Sequence, residues 1–352
     1  MSDSPAIRLG IGILAHDEAS TLPELAASLF RQSIFHGHRS SYAAIHIACI
    51  PNGCTDATAA VARDAIGQAA NRLRNDRVTW SVEELETAGK ARAWNHCIHH
   101  SLVAYDYICL IDADIVFAGD ETIHSVLSRI LEDPHVAVAT DSPIKKLNDE
   151  RVGLVGKISD VFSRAAPPSP TSICGQFYCA RGPVLRSIWM PPGLPVEDGF
   201  LRAMVITHEF RQPEDPRRIV REEKAAHYFE PNRTLGELWR HKKRLMIGTA
   251  LNSLLFTHLW QNSGTAGAGQ LLREQLESDP AWLSKYFAKE SNHSYWVVPM
   301  GHVLRRLHDL KGAPIRRQLK RTPLAIAATA LDLLVAVSAN REIRRNQGLG
   351  FW

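Results

Sequence analysis

Cysteine is scarce in these 352 residues: six, at positions 49, 54, 97, 109, 174 and 179, with no Cys-x-x-Cys pair among them. Several fall in apolar strands or on helix faces where free thiols are commonly buried, so a reduced, cytosolic protein is expected. The first five residues, Met-Ser-Asp-Ser-Pro, lack the basic segment and apolar stretch of a signal peptide. No apolar run reaches the length of a membrane span. The nearest, residues 323–339, is short and broken by Asp332, which predicts a packed or interfacial helix. A large excess of either charge is also lacking: the net charge is +4, with 22% charged and 45% hydrophobic residues. That balance does not indicate disorder and gives no reason to expect a nucleic-acid partner, while suiting anionic substrates or an anionic membrane surface. There is no internal repeat.

What is present is organised around residues 107–117, Tyr-Ile-Cys-Leu-Ile-Asp-Ala-Asp-Ile-Val-Phe. An apolar, β-branched run without polar alternation predicts a central strand of a parallel sheet, buried on both faces. Asp112 and Asp114, two residues apart, point the same way near the strand end, where a divalent cation would best compensate them. Mg²⁺ or Mn²⁺ held by carboxylates usually also holds phosphate oxygens, so a phosphate-bearing substrate is the first expectation. Taken alone, the pair also fits acids that cap the following turn.

Around this stretch, strands alternate with helices. Strands are predicted at 7–14, 44–50, 78–82, 136–140 and 173–181. Thr21 and Glu24 have capping-box spacing before a helix with Leu22, Leu25, Ala26 and Leu29 on one stripe. Further helices are expected at 57–70, 89–103, from Asp120 onward and at 200–206, and helices dominate beyond Leu235. The pattern is that of an α/β sheet with right-handed crossovers. Gly10-Ile11-Gly12-Ile13-Leu14-Ala15 matches a dinucleotide-binding Gly-x-Gly-x-x-Ala, but the glycines fall inside the strand and no acid follows between Ile34 and Ile50, which argues against that fold.

The ordered motifs from about Leu9 to Gly248 resemble the family 2 glycosyltransferases. That resemblance implies the GT-A fold, a Rossmann-like mixed sheet flanked by helices, over residues 1–250, with a helical C-terminal region at 251–352 on the acceptor side. Ala15-His16-Asp17-Glu18 is similar to the family's first turn near the nucleotide base, so Ala15, His16 and Glu18 are implied donor residues. Pro51-Asn52-Gly53-Cys54-Thr55-Asp56 resembles Asp-Asp-Gly-Ser-Thr-Asp with its two leading acids replaced, leaving Asn52 to meet the base. Gly89-Lys90-Ala91-Arg92-Ala93-Trp94-Asn95 resembles Gly-Lys-x-x-Ala-x-Asn, a helix start whose lysine suits a diphosphate, although a solvated basic turn would read alike.

By the same resemblance Asp112 lies near the ribose and metal, Asp114 binds the metal, and His227 of Ala226-His227-Tyr228 completes its coordination by Mn²⁺ or Mg²⁺. Glu197-Asp198 resembles the family's Glu-Asp, with Asp198 the general base and Glu197 toward the acceptor; both also suit a helix N-terminus. Gln176 is a weak acceptor candidate. Arg240–Gly248 is similar to Arg-Gln-x-x-Arg-Trp…Gly: Arg244 is retained as a donor residue, while His241 and Leu245 replace the Gln and Trp that polymerising members use.

The resemblance thus implies an inverting, metal-dependent enzyme of the hexosyltransferase type. It would move one sugar from a nucleotide-diphosphate sugar, a UDP-sugar by preference, to a hydroxyl acceptor that is a saccharide or lipid-linked, as in cell-envelope glycan, glycolipid or polysaccharide synthesis. The expected location is the cytoplasm, with possible peripheral contact at the inner membrane through the basic-flanked helix around Leu324. Two other readings stay open. One is a non-catalytic nucleotide-sugar-binding or scaffold protein with this fold. The other is a sugar nucleotidyltransferase, disfavoured because His16-Asp17-Glu18 is no Gly-rich loop.

Overall fold

The computed structural model describes residues 7–36, 42–146, 171–230, 234–310 and 315–345. The described strands are β1 (Ile7–Ala15), β2 (Tyr42–Pro51), β3 (Val78–Val82), β4 (Tyr107–Asp112), β5 (Val116–Phe117), β6 (Val138–Lys145), β7 (Phe177–Arg181) and β8 (Ile219–Phe229). They form one sheet in the order β3-β2-β1-β4-β7-β6-β8-β5. β3, β2, β1 and β4 run parallel. β7 then pairs antiparallel with both β4 and β6, β6 lies parallel to β8, and β5 is antiparallel to β8. The expected central strand of a parallel sheet is therefore corrected: β4 is the seam between a parallel half and a mixed half. Its unbroken apolar run reports burial of Ile108, Cys109, Leu110 and Ile111, and burial is blind to the direction of a neighbour.

Helices cover both faces. α1 (Leu22–Phe30), α2 (Thr58–Leu73), α3 (Lys90–His96), α4 (Thr122–Glu132), α5 (Gly182–Arg186) and α6 (Glu197–Ile206) are followed by α7 (Leu235–Asn262), α8 (Ala268–Ser278), α9 (Trp282–Asn292), α10 (Met300–Leu310) and α11 (Ile315–Arg344). One apolar layer joins Leu25, Leu29, Ile66, Ile123 and Leu127 of α1, α2 and α4 to Ile11, Ile13 and Ile111. The other joins Trp94, Phe200, Met204 and Ile247 of α3, α6 and α7 to Ile50 and Leu110, and it continues without a break into Leu272, Phe287 and Val335. The C-terminal helices thus extend the core of one sheet face.

Gly10 and Gly12 do lie within β1. A Cβ on Gly12 would stand 2.3 Å from Cys97 Sγ, and one on Gly10 2.9 Å from Leu102 Cδ2. Their smallness lets the chain after α3 press on the strand, which accounts for a glycine pair with no phosphate to hold.

Three expectations fail here. Thr21 does not cap α1: its hydroxyl donates to Glu18 Oε2 at 2.6 Å instead. A capping box does form at α7, where Thr234 Oγ1 accepts from Glu237 N and the Glu237 side chain accepts from Thr234 N. The thiols are not all free, since the antiparallel register sets Cys109 opposite Cys179 and the two form a disulfide. Finally, Thr322–Arg344 is long and apolar enough to cross a membrane by length and composition, at 23 residues and mean hydropathy 1.8. Asp332 does not break this helix, because it is buried against Lys242 Nζ (2.7 Å) and Arg306 Nε (3.1 Å).

Candidate active site

β1, β2 and β4 all run out at the same edge of the sheet, and that carboxyl edge is where an open α/β sheet offers a crevice. Leu14 lies beside Asp112 in the β1–β4 register, and Ala113 N donates to Leu14 O. Asp112 N donates to Gln176 O at 2.8 Å, so the acid is fixed where the parallel half meets β7. The Glu197–Asp198 turn comes to the same place from the opposite side. α7 holds it there. Asn252 Nδ2 donates to Val196 O at 3.0 Å, and Gly248 lies so close that a Cβ would meet Val196 Cγ2 at 2.2 Å.

Lys90 joins the two groups of acids. Its Nζ stands 2.7 Å from Asp112 Oδ2 and 3.1 Å from Glu197 Oε1, and it donates to Gly175 O at 3.4 Å. Burial opposes the ammonium charge, but the two carboxylates outweigh it and hold Lys90 protonated far above its usual range. Glu197 is correspondingly drawn down: burial works against its charge and Lys90 overcomes it. Asp112 moves the other way, pushed up to about 6 by burial in spite of Lys90, with Asp114 and Glu197 adding repulsion. Asp198 is also raised to about 6, by burial and then by Glu197. One of its oxygens accepts from Gly199 N at 2.7 Å. Lys90, Trp94, Asp112, Gly175, Glu197 and Asp198 line one small cavity. Gly175 presses on Asp198, since a Cβ there would stand 3.3 Å from Asp198 Cβ.

His227 reaches the site from β8, which pairs with β5 just after Asp114: Phe117 lies opposite His227. The imidazole is fully buried, with Nδ1 at 2.9 Å from Asp141 Oδ2 and Nε2 at 3.5 Å from Gln176 Oε1. Burial opposes its charge, yet hydrogen bonding to Asp141 prevails and raises His227 to about 9. Asp114 is raised by burial and by the nearby Glu18, with Lys90 and His227 pulling it back. Its Oδ1 is buried and has no hydrogen-bond partner. An orphaned carboxylate oxygen within electrostatic reach of a second acid, Asp112, and of the His227 imidazole offers donor types that fit Mn²⁺ or Mg²⁺. The set is open: among the described residues the acids, thiols and imidazoles with ligand atoms within 4.8 Å of one another are Asp17, Cys54 and Asp56, and Asp112, Asp114 and His227 do not close into such a group.

Several predicted roles change. Asn52 is buried and its amide is spent inside the protein: Nδ2 donates to Ala15 O at 3.0 Å and Oδ1 accepts from Gly89 N at 2.9 Å. It clasps three loop ends and is buried among them, out of contact with solvent. Lys90 is likewise engaged by two acids, and Glu197 by Lys90, so neither presents a free charge to diphosphate or acceptor. The Gln176 side chain turns to His227, with Oε1 3.5 Å from Nε2. Arg244 acts on Glu197 and Asp198, whose charged forms it favours. His16 Nδ1 is 2.8 Å from Asn52 O, and Glu18, raised mainly by burial, is close enough to Asp112 to feel its charge.

Sequence reasoning missed Asp141, which orients His227, and the work of Asn95. The Asn95 amide donates to Met190 O at 2.8 Å and accepts from Met190 N at 2.9 Å, anchoring the loop that delivers Glu197. Its Gly-Lys-x-x-Ala-x-Asn spacing was a signal. No sequence signal marks Asp141.

No curated protein matches the chain. Similar solved structures include glucosyl-3-phosphoglycerate synthase from Mycobacterium tuberculosis in complex with Mn²⁺, UDP-glucose and phosphoglyceric acid. It is 19% identical over 69% of this chain and 78% of that one, with a TM-score of 0.45. Another is S. aureus TarS 1-349 in complex with UDP, 14% identical over 97% of this chain and 92% of that one, with a TM-score of 0.44. The model of glycosyl transferase family 2 matches residues 11–178, which run from β1 through the Asp112 strand to β7. Over those residues, just under half of its length, the chain is similar to glycosyl transferase family 2.

Proposed function

We propose that the protein is an inverting, metal-dependent hexosyltransferase that moves a single sugar from a nucleotide-diphosphate sugar, preferably a UDP-sugar, to a hydroxyl acceptor. The observation that carries this reading is an ion-seeking acid, Asp114, two residues beyond Asp112, which lines one cavity with the proton-seeking Asp198. Asp114 has an unsatisfied buried oxygen, and Asp198 is raised to about 6 by burial and Glu197. A base with such an affinity is unprotonated at neutral pH and still able to accept a proton from a hydroxyl. Asp198 takes the acceptor proton, so that the hydroxyl oxygen attacks the anomeric carbon as the bond to the diphosphate breaks on the far side. Asp114, with His227 oriented by Asp141, would hold Mn²⁺ or Mg²⁺, and the bound ion would supply Lewis-acid neutralisation of the departing nucleotide diphosphate. Lys90 keeps Asp112 and Glu197 ionised and in place, and Arg244 favours the charged base.

Residues 1–250 carry this chemistry in our reading, and residues 251–352 shape the acceptor side, in a cytoplasmic protein. The replacements His241 and Leu245 favour transfer of one sugar over polymerisation. The test is thermal stabilisation by UDP, GDP, CDP and TDP with and without Mn²⁺, in the wild type, Asp114→Ala and Asp198→Asn, together with sugar transfer. The expected result is a shift for one nucleotide that needs metal and Asp114, and a normal shift but about 10²-fold or more slower transfer in Asp198→Asn. A nucleotide shift indifferent to Asp114, or normal transfer by Asp198→Asn, would overturn the assignment.

A further inference from the structure

α11 has two unlike faces. Inward, Ala328, Asp332, Val335, Ala336, Ala339 and Ile343 are buried, and Asp332 is tied to Lys242 and Arg306. Asn340 Oδ1 accepts from Val297 N at 2.7 Å, and its Nδ2 donates to Tyr295 O at 3.0 Å. Withdrawing this helix into a bilayer interior would strand those polar groups in hydrocarbon, so α11 does not span.

Outward, a stripe at three- and four-residue spacing is apolar: Ile326 is 56% exposed, Leu333 39% and Leu334 62%, with Ala327 and Ala330 exposed between them. At its C-terminal end the same stripe continues into exposed Arg341 and Arg344. Tyr295, 82% exposed, lies there too, with the Arg344 guanidinium 5.1 Å from its ring centre. The acid of this turn, Glu342, is taken up by Lys243 at 2.7 Å. An apolar helix face ending in arginines and an exposed tyrosine has the composition of an interfacial helix.

We infer that the outward face of α11 docks on an anionic lipid bilayer, lying in the interface plane with Arg341, Arg344 and Tyr295 among the headgroups. Charge decides against a second copy of the chain as the occupant. The sequence puts Arg316, Arg317, Lys320 and Arg321 at the other end of this helix, so two antiparallel copies would bring cation against cation. The inference goes beyond the proposed transfer reaction and does not depend on it.

The test is flotation of the purified full chain with phosphatidylcholine vesicles and with mixed phosphatidylcholine/phosphatidylglycerol vesicles, at low and high salt and without nucleotide. Its variants are Ile326→Glu/Leu334→Glu and Arg341→Glu/Arg344→Glu. All four positions face outward, so both variants should melt like the wild type; a lowered melting point in the first leaves the arginine pair to decide. The wild type should float with the anionic vesicles, weakly with the neutral ones and less in high salt. Each variant should bind the anionic vesicles about tenfold less or worse. Absence of flotation, or flotation unchanged in the arginine variant, would overturn the inference. So would a dimer in sedimentation that Ile326→Glu/Leu334→Glu dissociates, since the face would then belong to a second copy.

Discussion

Asp198 is the residue on which pH should act. Its carboxyl is raised to about 6 by burial and Glu197, and it serves the proposed reaction only when ionised. Transfer should therefore be low at pH 5, rise through about pH 6 and level off above it, because the base is protonated below its pKa and free above it. Replacing Glu197 by Gln removes the repelling charge and should move the midpoint of a kcat/KM profile toward lower pH; a midpoint that stays near 6 would deny Glu197 that influence. Asp112, Asp114 and Asp198 could be found in the sequence because an acid inside an apolar run, or after a Pro/Gly breaker, needs a reason to be there. Asn52 and Asn95 could be found as positions but not as roles. An amide serves a ligand and a backbone equally well, and only the fold shows that Ala15, Gly89 and Met190 have claimed them. Asp141 was invisible because its partner is 86 residues away.

At the scale of elements, α7 positions the Val196 turn, and with it the proposed base Asp198, by contact. Gly248 is its point of closest approach, with Val196 Cβ 2.7 Å from where a side chain would begin. Gly248→Ala must push α7 off the Val196 turn, and overpacking of this kind costs about 1–3 kcal/mol. Denaturant unfolding should show that loss, with transfer reduced beyond what the unfolded fraction explains. An unchanged midpoint would mean the helices part easily and do not fix Glu197. The alternation of strands and helices was legible from periodicity, as was the helix from Glu197. Strand direction was not, because pairing partners leave no local trace, so the seam at β4 and the meeting of Cys109 with Cys179 had to be seen. Thr21 and Thr234 both carry the Thr-x-x-Glu signature, and an acid three residues upstream of Thr21 decided which of them caps a helix.

For the whole molecule, the α/β class and the helical C-terminal region could be read from the chain, whereas the continuous core beneath them could not, since it unites Trp94 with Val335 across most of the sequence. The ion pairs of Lys90 have a consequence at this scale. Asp112, Asp114, Glu197 and Asp198 converge with Glu18 nearby, and the buried lysine among them is already shared by two carboxylates. A diphosphate approaching alone meets a net negative field, and a lone divalent ion meets a ligand set that is not closed. Each guest supplies what the other lacks. The two should therefore be thermodynamically linked: in calorimetric titrations UDP should tighten Mn²⁺ binding by the same factor by which Mn²⁺ tightens UDP, and Lys90→Met, by leaving the acids unbalanced, should weaken UDP alone more than the pair. Independent isotherms would mean that nucleotide and ion do not meet at these acids. With linkage, the resting protein would ignore free nucleotide and respond to the complex of nucleotide and ion as a single guest.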